Sequence, residues 1–151
     1  MEINLLTNYP KTKRNPLERL KKKTIQDQEI ARRFDKDFFD GERKHGYGGF
    51  SYNEKYWQPV IPSFQKFWKI NNRDTLLDIG CAKGFMLYDF KKIIPGIKVT
   101  GVDISNYAIK NSLPEIKKDL FVANAKELPF DDNSFDHVIS INTIHNLSED
   151  D

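Results

Sequence analysis

From Asp74 onward the chain alternates short apolar runs with segments whose apolar residues recur at three- and four-residue spacing. TLLDI (75–79) is an apolar run of strand length ended by Gly80. FMLYDFKKII (85–94) places Met86, Phe90, Ile93 and Ile94 on one side of a helix, which Pro95-Gly96 terminates. KVTGVDI (98–104) predicts a second strand, and Ser105 is placed to cap a helix carrying Tyr107, Ala108 and Ile109. LFVANA (120–125) and HVISIN (137–142) predict strands three and four, with the turn-rich DDNS (131–134) between them. Strands alternating with helices imply a parallel sheet, because parallel neighbours need long crossover connections. The expected fold class is therefore α/β, a Rossmann-like doubly wound parallel sheet.

Upstream the rhythm differs. Residues 34–68 are dense in aromatics, and after Pro62 the segment SFQKFWKI predicts a helix with Phe64, Phe67 and Trp68 on one face. Between Gly41 and Tyr52, Gly46, Gly48 and Gly49 argue for an irregular loop. Residues 1–33 are polar and basic, and their first part reads as a partly disordered tail. The chain thus divides into a tail (1–33), an aromatic helical or lid segment (34–73) and a strand–helix portion (74–151), with no internal repeat.

Composition narrows the function. Within 151 residues, 24 Lys and Arg nearly balance 22 Asp and Glu, and the net charge of +2 supplies no field that calls for nucleic acid or a membrane. The basic tail is short enough to be a solvated face. Cys81 is the single cysteine, so an internal disulfide and multi-cysteine zinc sites are excluded and no metal is expected. The N-terminal sequence lacks the apolar stretch of a signal peptide, and no run reaches the roughly 18 apolar residues of a membrane span. A soluble, cytoplasmic protein acting on a small molecule is the expectation.

The chemistry concentrates in LLDIGCAKGF (76–85), a strand running through a glycine loop into a helix. Gly80 and Gly84 let backbone approach a ligand, and free N–H groups at the helix start favour an anionic group. In an open α/β sheet, ligands bind beyond the carboxyl ends of strands, where this loop lies. Asp103 ends the second strand about 20 residues on, where an acid can accept hydrogen bonds from ribose hydroxyls. Loop and acid together point to an adenosine-containing cofactor. A dinucleotide fingerprint wants glycine where this chain has Ala82 and Phe85, which disfavours nicotinamide and flavin.

The spacing Gly80 to Gly84, with Asp78 before it, resembles the first motif of class I S-adenosylmethionine-dependent methyltransferases of the type 11-like group; Ala82 stands where that family usually has a middle glycine. NAKELPFDDNSFDHVISINTIHNL (124–147) resembles the family's third and fourth motifs, although Asn124 stands where Asp is commoner. The resemblance covers residues 74–147 and implies S-adenosyl-L-methionine as cofactor. It implies contacts from Asp78, Gly80, Cys81, Ala82, Gly84, Asp103 and Ile104, adenine contacts from Asn124 and Ala125, and a lining contribution from Asn142. An amide at 124 can both donate and accept, so adenine contact is retained.

The residues leave room for further roles. His145, just past strand four, is a candidate general base, since an imidazole titrates near neutrality. Tyr47, with His45 in the upstream glycine-containing loop, is a candidate lid residue reaching the methionine carboxylate. Cys81 has no base beside it in sequence and is expected to be a small buried neighbour of the cofactor; Lys83 is expected to face solvent, and His137 to be structural.

The family fold has seven strands in the order 3-2-1-4-5-7-6, and four are countable here, which makes a truncated chain the expectation and SEDD (148–151) the start of the helix after strand four. Strand four would then be an open edge, available to self-association or to a partner chain. The leading functional expectation is methyl transfer to a small molecule, such as a sugar or cell-envelope precursor. The alternative is a non-catalytic adenosine-ligand or protein-interaction module pairing through that edge.

Overall fold

The computed structural model describes residues 2–11 and 23–147. The chain forms two compact units, one of Met1–Tyr9 with Glu54–Asp151 and one of Pro10–Asn53. Most of the tail's basic run, from Lys13 to Lys22, and the closing SEDD lie outside the described residues. No helix among the described residues is long and apolar enough to cross a membrane.

In the smaller unit, helix α1 (Ile25–Arg32) begins at a capping box: Thr24 accepts from the Asp27 N–H, and the Asp27 carboxylate accepts from the Thr24 N–H and hydroxyl. Asp27 also bonds His45 Nε2 at 3.1 Å and pairs with Lys44. The Thr24 bonds, followed by these two partners, hold its carboxyl far below the usual range. Helix α2 (Lys36–Phe39) is capped by Asp35. The following loop folds back through Tyr47 N–H to Phe38 O and Gly49 N–H to Phe39 O, and its aromatic rings pack on those of Phe38 and Phe39. The predicted irregular loop is therefore an ordered one.

The larger unit opens with helix α3 (Ile61–Trp68), which starts two residues earlier than the sequence suggests because Pro62 sits in its first turn, where its missing N–H is tolerated. Phe64 is buried, whereas Phe67 and Trp68 remain partly exposed, so the three aromatics do not share one buried face. Strand β1 (Thr75–Ile79) leads to helix α4 (Phe85–Ile93), strand β2 (Lys98–Asp103), helices α5 (Asn106–Lys110) and α6 (Pro114–Lys117), strand β3 (Leu120–Val122), strand β4 (His137–Ile139) and a single 3-10 turn, Ile144–Asn146. The sheet order is β3-β2-β1-β4, with parallel pairing throughout. β1 is central and reads as a continuous apolar run because both its faces are covered.

Leu76, Leu87, Phe64 and Phe90 lie at the heart of the core, each side chain adding roughly 1.5–3 kcal/mol of burial. The lower end of the sheet is pinned by polar contacts. His137 Nε2 lies 2.9 Å from Asp74 Oδ2, and Asp136 accepts from the Thr75 N–H and hydroxyl. β3 and β4 stop three residues short of their predicted ends. Their sequences stay apolar, but both are edge strands with few ladder partners. Residues 2–9, expected as tail, carry Leu5 and Tyr9 onto the core, and Tyr9 packs its ring against Trp57 at 5.0 Å.

Candidate cofactor site

The site is built where β1 ends. The Gly80 and Cys81 N–H groups both donate to Val102 O on β2, at 2.8 and 3.0 Å, and Ser140 donates its hydroxyl to Ile79 O from the β4 side. The loop is thus anchored by both neighbouring strands before it turns. Gly80 has φ +83°, and a Cβ there would run into the Thr143 side chain. Only glycine permits both that backbone and that approach. Ala82 also adopts the left-handed region, at φ 51°. Gly84, at φ 73°, opens α4 without a side-chain cap, leaving the helix start to backbone alone.

Asp103 joins the loop to β2. Its Oδ2 accepts the Ala82 N–H at 2.7 Å and its Oδ1 accepts the Ser105 N–H at 2.8 Å, while the Ser105 hydroxyl caps α5 by accepting from the Ala108 N–H. Burial raises the Asp103 pKa, and the two N–H bonds oppose that rise. A carboxylate offers about four lone-pair sites, so two remain for a ligand. Asp78, 4% exposed in β1, is pushed up to about 8 by burial and then by Asp103. Among the described residues neither carboxyl has an ion-pair partner, and at neutral pH Asp78 is largely protonated and neutral. Burial, followed by the same two carboxyls, pushes the Cys81 thiol well up. Cys81 therefore stays a neutral thiol and is no nucleophile.

The remaining candidates reach the site by different routes. Ile104 follows Asp103 and is exposed. The Ala123 N–H donates to Asp103 O at 3.0 Å, which brings Asn124 and Ala125 to the end of β2; Asn124 Oδ1 accepts the Lys126 N–H in a local turn. Asn142 lies past the end of β4 with φ 57°, a conformation asparagine tolerates, and its carbonyl accepts from Asn146 Nδ2. His145 is exposed on the 3-10 turn. Tyr47 belongs to the smaller unit, where its ring lies 4.3 Å from that of Phe50.

Two residues escaped the sequence reading. Thr143 rests against Gly80, which seats the segment after β4 on the glycine loop. Lys83 is 6% exposed, a correction to its expected solvent-facing place. Its ammonium lies 5.8 Å from the Tyr107 ring centroid. Nothing in a single lysine marks burial; the strand-to-helix loop around it was the only hint.

The arrangement fits S-adenosylmethionine: a turn with glycine at positions 80 and 84, where backbone can approach a ligand, and beside it a half-buried acid with open lone pairs at Asp103. The comparisons agree. Residues 77–151 match the methyltransferase domain family. A 70-residue stretch is 39% identical to the mitochondrial arginine-hydroxylase NDUFAF5 of Mus musculus, covering 46% of this chain and 20% of that protein. The demethylmenaquinone methyltransferase of Roseiflexus castenholzii is 36% identical over 76 residues, which is 48% of this chain and 32% of the relative. Among solved structures, the phosphoethanolamine N-methyltransferase 2 of Haemonchus contortus in complex with S-adenosyl-L-methionine is 25% identical, with a TM-score of 0.52 over 73% of this chain and 28% of that one. Residues 77–151 therefore belong to a class I S-adenosylmethionine-dependent methyltransferase domain. The chain spans less than a third of the length of these two curated relatives.

Proposed function

We propose that this protein transfers a methyl group from S-adenosylmethionine to a small-molecule acceptor in the cytoplasm. The observation that carries the reading is the clamp of Ala82 N–H and Ser105 N–H on one half-buried carboxyl, Asp103, which fixes the glycine loop beside an acid with lone pairs left for ribose hydroxyls. When bound, the cofactor supplies an electrophilic methyl on a positively charged sulfur. The chain's own task is alignment and exclusion of water, which together can supply up to roughly 7–11 kcal/mol of the barrier. Asp103 is assigned to the ribose hydroxyls, Asp78 to a neutral hydrogen-bonding role at the base of the loop, Asn124 and Ala125 to the adenine edge, and Asn142 and Thr143 to the side reached from β4. His145, on the same segment as Thr143, is the group assigned to take an acceptor proton.

The acceptor class rests on relatives whose names include demethylmenaquinone and phosphoethanolamine, both small molecules. A sugar or cell-envelope precursor is the class to screen first. One relative is named for arginine hydroxylation, so the decisive assay reads methyl transfer itself.

Titration calorimetry with S-adenosylhomocysteine tests the donor site. Saturable binding is expected, weakened about 100-fold in Asp103→Ala, since bonds to a charged group contribute about 1.5–3 kcal/mol each. A folded sample that does not bind at millimolar ligand rejects the proposal. Incorporation of labelled methyl from S-adenosylmethionine into an acceptor pool, lost in Asp103→Ala and reduced in His145→Gln, tests the reaction.

A further inference from the structure

A lysine is rarely buried, because taking an ammonium out of water is costly unless another group compensates. Lys83 is 6% exposed, in contrast to the lysines of the surface, and sits within the turn that would hold the cofactor. Its neighbours explain where its stem goes. Gly84 packs against Leu120 and Ile116, so the second half of the loop lies down on β3 and α6. From there Lys83 extends to α5, with its ammonium 5.8 Å from the centroid of the Tyr107 ring, inside the reach of about 6 Å for a cation over an aromatic face.

Two ties thus connect the same two segments. The inner one runs from Ala82 N–H through the Asp103 carboxylate to Ser105 N–H. The outer one runs from the next loop residue, Lys83, to Tyr107, two residues beyond Ser105. The inner tie runs through a carboxylate that a ribose would also engage, so the outer tie supports the same spacing independently of the ligand. We propose that Lys83 is a positioning residue which, through Tyr107, fixes the spacing between the glycine loop and the β2–α5 turn, and so sets the affinity for the adenosine part of the cofactor. The proposal rests on the reading of this site as an S-adenosylmethionine site.

The test is S-adenosylhomocysteine binding by calorimetry on the full chain, with folding of each variant checked by circular dichroism. Lys83→Met keeps the apolar stem and removes the charge, and is expected to bind about 3- to 10-fold more weakly. Lys83→Arg restores a cation and is expected within about twofold of wild type. From the other side, Tyr107→Phe keeps the ring and the affinity, whereas Tyr107→Leu loses as much as Lys83→Met, and the double variant Lys83→Met, Tyr107→Leu loses no more than either single change. Should Lys83→Met not fold, the Tyr107→Leu and Tyr107→Phe pair reads the same contact. Wild-type affinity in Lys83→Met, or in Tyr107→Leu, overturns the proposal, because packing alone would then suffice. A wild-type protein that does not bind rejects the cofactor reading instead.

Discussion

Residues 75–110 and residues 120–147 belong to one sheet, yet they are built on different terms. In the first region β1 and β2 share five register pairs, the connecting loop is anchored to both neighbouring strands, and every turn is closed by a named hydrogen bond. In the second, β3 and β4 are three residues long and Phe121, Val122 and Val138 are each at least half exposed. A groove of about 440 Å³ runs beside β4 between residues 2–6 and the aromatic side of α3. The contrast teaches where precision is needed. The glycine loop and Asp103 stand on the extensively paired strands, while the segment after β4 is held by turns.

The largest effect that sharpens this contrast concerns Asp78. Its folded-state pKa is raised from 3.8 to about 8, so the folded protein holds a proton that the unfolded chain releases. The associated stability is full below about pH 4 and falls as pH rises toward about 8. Asp78→Asn removes this slope. Chemical denaturation is expected to give equal stability for the two proteins near pH 4, and to show the Asp78→Asn variant more stable by a few kcal/mol near pH 8, at about 1.4 kcal/mol per pH unit of window. Parallel pH profiles would break the assignment of Asp78 as the unpaired buried acid.

Gly80→Ala is expected to have the next largest effect. A side chain there meets Thr143 and is strained at φ +83°. Thermal unfolding is expected to show a loss of about 2–3 kcal/mol. A smaller loss would mean that the segment after β4 gives way easily.

The smallest effect compares the two regions directly. Ala82 and Asn142 both occupy the left-handed region, but alanine is penalised there and asparagine much less so. Ala82→Gly is expected to gain up to about 1 kcal/mol and Asn142→Gly close to nothing in the same melts. Equal gains would erase the distinction.

Much of the first region was legible in the sequence. TLLDI, the glycine loop, the helix after it and Asp103 carry local signals of period, turn chemistry and spacing, and each fell where those signals put it. The sheet order followed from the family resemblance. What stayed hidden depends on distant partners. LFVANA and HVISIN keep strand-like composition past the point where their neighbours end, so their length could not be read from themselves. Lys83 reads as a surface residue until α5 is placed beside it. The docking of residues 2–9 through Leu5 and Tyr9 was masked by the polar residues around them. The second task of Asp103, holding the loop as well as meeting a ligand, is invisible because one acid looks like another.

The pairing of β1 carries a consequence for how the chain acquires its structure. Leu76 pairs with Val99 across 23 residues and with His137 across 61. Closing the longer loop costs more chain entropy, and it is repaid by only three register pairs. The expected order of events is that β1, the glycine loop and β2 assemble first as a local strand–helix–strand unit, and that β4 joins afterwards and brings Thr143 onto Gly80. The glycine loop would then gain its contacts to β2 before those from Ser140 and Thr143, and pulse-labelled amide exchange is expected to register Val102 as protected ahead of Ile139.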